Sequence, residues 1–191
     1  MVDVEPPGEV TDALREHVAG SWLTLVALGV GAYVAGIVLT AALAFVGEWP
    51  SVEGLQSIGF AFYSAHTVPV VVAGGGELDF LGRLTDPEVP IVTYYAVPVL
   101  VLLVAGAVAS WRVPGRSAID PVAIGVNSLG LAVGYVAAAV LGRVAFTSGV
   151  VGVGGVSLPL GRTVLFATAY VLAFATIGAA VAIAAAVVAG E

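Results

Sequence analysis

The chain has 191 residues, 60% of them hydrophobic and 10% charged, with a mean hydropathy of +1.08. A soluble domain carries about 25% charged residues, so this chain has too little polar surface to cover a globule in water, which excludes an ordinary soluble enzyme and points to the bilayer as solvent. Thirteen acids against six basic residues, all arginine, give a net charge of −7, which excludes nucleic acid as a partner because phosphates need basic patches.

Cysteine is absent, so no disulfide framework, thiolate metal site or cysteine nucleophile is available. His17 and His66 are the two histidines, too few for a multi-histidine metal centre. Every charge falls in five segments. Residues 1–19 carry −4, residues 47–89 carry −5, residues 111–120 carry +1, residues 143–162 carry +2, and Glu191 adds −1. The stretches between them are uncharged.

Residues 1–20 read as an acidic tail and a short surface helix. Pro6, Pro7 and Gly8 loosen the first ten residues, and Thr11 is placed to cap a helix through His17. The rest, 21–191, reads as one membrane domain. About 20 apolar residues span about 30 Å of hydrocarbon, and four uncharged stretches meet that length. The first is Ser21–Val46. Ala42 and Ala44 imitate a signal-peptidase site, but the apolar core is too long and its flank too acidic for a cleaved leader, so the stretch reads as an anchor.

Leu55–Ala73, LQSIGFAFYSAHTVPVVVA, is long enough to cross but is interrupted by polar residues and by Pro69, and it ends at Gly74–Gly76. A proline removes a rung of the helical hydrogen-bond ladder. The preferred reading is a partial helix, lying at the interface or dipping in against other helices; a fifth span is the alternative. The remaining spans are Val89–Ser110, in which Pro98 is a position able to kink the helix and ease packing, Pro121–Gly142, and Thr163–Ala189. Backbone groups in lipid must be satisfied within their own segment, so these are expected to be α-helices. Trp22, Trp49 and Trp111 stand near span ends, as an aromatic belt predicts. Thr147–Pro159 is an uncharged, glycine-rich connection.

Arginine counts barely orient the chain. Four spans with both ends inside put Arg15, Arg112 and Arg116 in the cytoplasm and Arg83, Arg143 and Arg162 outside, a tie. The short loop WRVPGRSAID, with two arginines, is taken as cytoplasmic. The acidic stretch 47–89 and the glycine-rich loop then share the outer face.

Several residues are singled out. Gly130, Gly134, Ala138 and Gly142 recur every four positions on one face of the third span and let another backbone approach. Packing within the chain, against Ala32–Gly36 or Gly178–Ala182, is the plain reading, and homo-oligomerisation the sharper one. Asn127 and Ser128 are polar at membrane depth and serve either as glue between helices or as part of a solute path. Arg143 and Arg162 flank the last loop, to snorkel toward headgroups or to contact an anion. Tyr63 and His66, three apart, share one side of a helix and are candidate interfacial groups; histidine titrates near neutral pH. Gly74–Gly76 lacks the pattern of a phosphate loop, and no serine has a triad around it. No catalytic residue, cofactor or metal is expected, and the chain is not read as an enzyme.

A glycine-rich first span ending in LTAALAFVGEW, then SIGFAFYSAHTVPV, TYYAVPVLVLLVAGAVAS and two Ala/Gly-rich spans together resemble a family of small haloarchaeal multi-pass membrane proteins of unknown function, some loosely labelled transporters. FAFYSAH with the following YYAVPVLVLLVAG carries the resemblance. It implies an all-α integral membrane bundle and no established activity. The expected role is a small transporter or permease-like subunit, with a non-transporting scaffold or accessory subunit as the alternative. The expected partners are the lipid bilayer and either a second copy or another membrane protein, with no nucleic acid.

Overall fold

The computed structural model describes residues 7–47, 54–72, 74–84, 88–112, 121–147 and 155–189, with side chains omitted for 7–20, Gly54, Arg112 and 121–123. The first six residues, Trp49, Arg116 and most of the glycine-rich loop lie outside the described residues, as do the side chains of Thr11, Arg15 and His17.

Among the described residues five α-helical bodies follow one another. Helix α1 is Pro7–Val46, α2 Gly54–Ala65, α3 Ile91–Arg112 and α4 Pro121–Thr147. The last body is α5 (Leu160–Tyr170), a π turn over Val171–Ala175, and α6 (Thr176–Ala189), in one unbroken rod. Among the described residues four helices are long and apolar enough to cross a membrane: Ser21–Val46, Ile91–Trp111, Ile124–Thr147 and Leu160–Ala189. The fold is an all-α membrane bundle with one partial helix.

Four boundaries differ from the sequence reading: the partial helix ends at Ala65 rather than near residue 73, and three span ends move. The backbone of α1 runs from Pro7 without a break between surface helix and span, because proline suits the first turn and no second proline follows it. The last two spans also run past their arginines, α4 to Thr147 and the fourth rod from Leu160. Charge ends hydropathy before it ends helix, since a long side chain can reach a polar partner from inside the apolar layer.

Packing is set by glycine. Helix α1 lies mainly along α4, and α3 along the fourth rod. A Cβ at Gly134 would fall on the Val26 carbonyl, and one at Gly29 on the Leu131 carbonyl, so α1 and α4 touch backbone to backbone. The second pair repeats the device, with Gly106 against the Ala175 carbonyl and Gly178 against that of Leu103. Between hydrocarbon-solvated helices, contact of this closeness replaces the hydrophobic drive that water supplies elsewhere. Outward positions are correspondingly greasy: Leu23, Phe45, Val92, Val104, Leu141 and Val181 are all more than 60% exposed, a surface suited to lipid rather than water.

Helix α2 is wedged against α1, α3 and α4. Gly59 admits the Phe146 ring and Gly36 the Phe62 ring. Beyond α2 the chain returns as an extended segment. Strand β1 (Val70–Val71) pairs antiparallel with β2 (Glu77–Leu78), and Val71 also bridges Ser157. The turn between the strands holds Gly74 and Gly75 at φ of 92° and 81°, a region L side chains avoid. The bridge and an ion pair between Glu77 and Arg162 (2.8 Å) bring the β1–β2 pair and Ser157 to the start of α5.

Replacing Gly134 by valine forces a side chain into the α1–α4 backbone contact and is expected to cost about 1–3 kcal/mol. Gly31 has nothing within 4 Å of its Cβ position, so Gly31→Val should stay within about 0.5 kcal/mol of the parent. Equilibrium unfolding in mixed detergent micelles separates the two.

Candidate functional site

Helix α2 ends inside the bundle, so its last carbonyls need partners without water. The end is closed as a Schellman motif. The Thr67 amide donates to the Ser64 carbonyl at 2.8 Å, and the Val68 amide to the Tyr63 carbonyl at 3.0 Å. Thr67 occupies the left-handed position at φ 61°, where glycine is usual and a β-branched residue costs about 1–2 kcal/mol. Its hydroxyl donates to the His66 carbonyl at 2.6 Å.

His66 folds back on its own helix. Its amide donates to the Tyr63 carbonyl, which leaves the Phe62 carbonyl to accept from Nδ1 at 2.8 Å. That bond places the proton on Nδ1, so Nε2 is the lone-pair nitrogen and accepts the Tyr135 hydroxyl at 2.6 Å. The Tyr170 hydroxyl donates to the Ala65 carbonyl at 3.3 Å, and its ring lies 5.1 Å from the imidazole. Phe62 packs edge-on at 4.6 Å. The imidazole is therefore hydrogen-bonded through both ring nitrogens and walled by aromatic rings.

A second hydrogen-bonded run lies beside the first. The Tyr63 hydroxyl donates to the Ala139 carbonyl and accepts from Tyr33 at 3.0 Å. A Cβ at Gly142 would strike the Tyr33 hydroxyl, so this glycine is the slot that admits the tyrosine pair. Tyr63 and His66 are 2% and 3% exposed: the structure places them in the bundle interior. Tyr135 stands eight positions from Arg143, and Tyr170 eight from Arg162, about 12 Å along each helix. The cluster thus lies well within a hydrocarbon layer about 30 Å thick. A cavity of about 10 Å³ beside it, lined in part by Tyr63, His66 and Tyr135, has room for about one water.

Above the cluster a cleft of about 180 Å³ opens between α2, the β2 region and the starts of α3 and α5. Its lining includes Ser64, Thr67, Asp79, Tyr95 and Arg162. The Asp79 carboxylate accepts the Tyr95 hydroxyl at 3.0 Å, and the Ser64 hydroxyl accepts the Phe80 amide at 3.1 Å. Val68 lines both the cleft and the small cavity, so the histidine sits one side chain behind the cleft wall.

The other singled-out residues fall into three places. Gly130 meets the Leu25 side chain and Gly134 the Val26 backbone, and Ala138 packs against the core, so this face is used within the chain. Arg143 donates from Nε to the Leu158 carbonyl, and Arg162 pairs with Glu77; both have protein partners. Asn127 and Ser128 lie 16 and 15 positions from Arg143, toward the opposite end, so the structure does not bring them to the histidine. The Ser128 hydroxyl bonds Thr176 at 3.0 Å across to α6. Asn127 Oδ1 is buried with no hydrogen-bond partner among the described residues. The sequence reading did not single out Tyr33, Tyr135 and Tyr170, although a phenol inside an apolar span needs a partner at depth. Among the described residues no group of three or more potential metal ligands occurs.

Residues 13–186 match a family described as one of unknown function, DUF7978, and the chain belongs to that family. No curated protein and no solved structure matches it.

His66 Nδ1 and Nε2 each close a hydrogen bond inside the bundle. His66→Ala leaves the Phe62 carbonyl and the Tyr135 hydroxyl without that partner and is expected to cost about 2–4 kcal/mol, read by equilibrium unfolding in detergent.

Proposed function

We propose that this family member is a small permease-like protein of the cell membrane, in which α2 and the His66 cluster form the centre that handles a small polar solute or a proton. The observation that supports it most is a titratable side chain directly behind a polar cleft and about 12 Å below the arginine level. Partial helices that end at depth also occur in transport proteins, though here the α2 carbonyls are closed within the chain and side chains would have to meet the solute. The π turn next to Tyr170 and the left-handed Thr67 add two irregular backbone sites at the same place, and such irregularities gather at functional positions.

In this reading the cleft end faces outward and the short arginine loop faces the cytoplasm. A haloarchaeal source fits the lysine-free, acid-rich composition, since carboxylates keep their hydration when molar salt screens their repulsion.

A second reading, a non-transporting scaffold or accessory subunit, has its own support. The two glycine crossings hold the helices backbone to backbone, and the cavity beside His66 is one water in size. Reconstitution into liposomes distinguishes the two. The permease reading expects proton or solute flux at least tenfold above protein-free vesicles, reduced tenfold or more by His66→Phe. Flux equal to that of empty vesicles, together with a membrane partner that co-purifies from the native host, favours the scaffold.

A further inference from the structure

The cleft above the histidine carries one fixed charge of each sign. Asp79 is anchored by the Tyr95 hydroxyl at 3.0 Å, and its carboxylate lies over Gly82, where a Cβ would come within 2.9 Å of Oδ2. Arg162 is gripped by both carboxylate oxygens of Glu77, at 3.0 and 2.8 Å. Glu77 does not line the cleft; it orients the guanidinium from beside the cleft. Two of five guanidinium N–H groups are used in that grip, which leaves the fork able to bind a second carboxylate.

We infer that the cleft binds a small zwitterion, an amino-acid-sized molecule whose ammonium group sits on Asp79 and whose carboxylate sits on Arg162. A plain cation would use Asp79 but leave the free N–H groups of Arg162, whose charge Glu77 already offsets, without an acceptor, and a plain anion would meet Asp79 as a like charge; a dipolar molecule uses both walls. Size bounds it as well. A cavity of about 150 Å³ holds the six carbons of benzene, so about 180 Å³ seats six to nine non-hydrogen atoms and not a nucleotide or a lipid headgroup with its glycerol. The hydroxyls of Ser64, Thr67 and Tyr95 line the same space and supply hydrogen bonds around a polar ligand.

The site does not depend on transport, so it is tested apart from flux, by isothermal titration of the intact protein in detergent with L-alanine and L-valine as probes. Saturable binding of at least one is expected, weakened tenfold or more when the probe is propionate or alaninamide, which each lack one charge. Asp79→Asn should abolish the preference for alanine over propionate, and Arg162→Gln the preference for alanine over alaninamide. Each variant is checked for a parental melting temperature. Tyr95→Phe keeps both charges and should weaken binding less than either. Binding that persists with both preferences intact in Asp79→Asn and Arg162→Gln overturns the inference, as does no saturable heat with either amino acid. Amino-acid binding without flux supports the site and counts against the permease reading alone.

Discussion

The structure turns on a single requirement: a helix that stops inside a membrane bundle must close its last carbonyls without water. Each unsatisfied group in hydrocarbon costs several kcal/mol, so α2 could not end where it does on packing alone. From Phe62 to His66 every carbonyl is taken. His66 Nδ1 serves Phe62, the amides of His66 and Val68 serve Tyr63, Thr67 serves Ser64, Tyr170 serves Ala65, and the Thr67 hydroxyl serves His66. The cap and the candidate site are the same atoms. His66 cannot be judged as a titratable group apart from its work as a helix end.

That closure depends on glycines elsewhere. Helix α4 brings Tyr135 to the imidazole only because Gly134 lets it lie against α1, and Gly142 leaves the space in which Tyr33 and Tyr63 meet. Small residues in one helix thus set the hydrogen bonding of another. The row that looks like a generic packing motif in sequence reads in three dimensions as two functions about two turns apart, backbone contact at Gly134 and a slot for phenols at Gly142.

The spans were legible because hydropathy and length respond to the same physics as the bilayer. So was the partial helix, because Pro69 and the polar residues of 55–73 forbid an uninterrupted ladder. The depth of that helix was not legible. FAFYSAH has the moderate polarity of an interfacial segment, and nothing local says that its polar atoms are all spent on neighbours up to 105 positions away, as Tyr170 is on Ala65. The cleft was equally hidden. Asp79, Tyr95 and Arg162 come from three segments, and only the Val71–Ser157 bridge and the Glu77–Arg162 pair gather them. Asn127, the most polar residue in a strong span, drew attention by its type, yet its neighbourhood is the opposite end of the bundle.

The π turn at Val171–Ala175 fixes the phase of the fourth rod. A wide turn holds about one residue more than an α turn, and one residue of α-helix is about 100° of rotation. Before the turn the rod presents Tyr170 to Ala65; after it, Thr176 to Ser128. With the surplus residue removed, a regular helix would aim one of these correctly and swing the other about a quarter-turn away. The two ends of the bundle are therefore tied through a single count of residues, and a lineage that lost one position here would have to give up one anchor or gain a residue elsewhere in the rod.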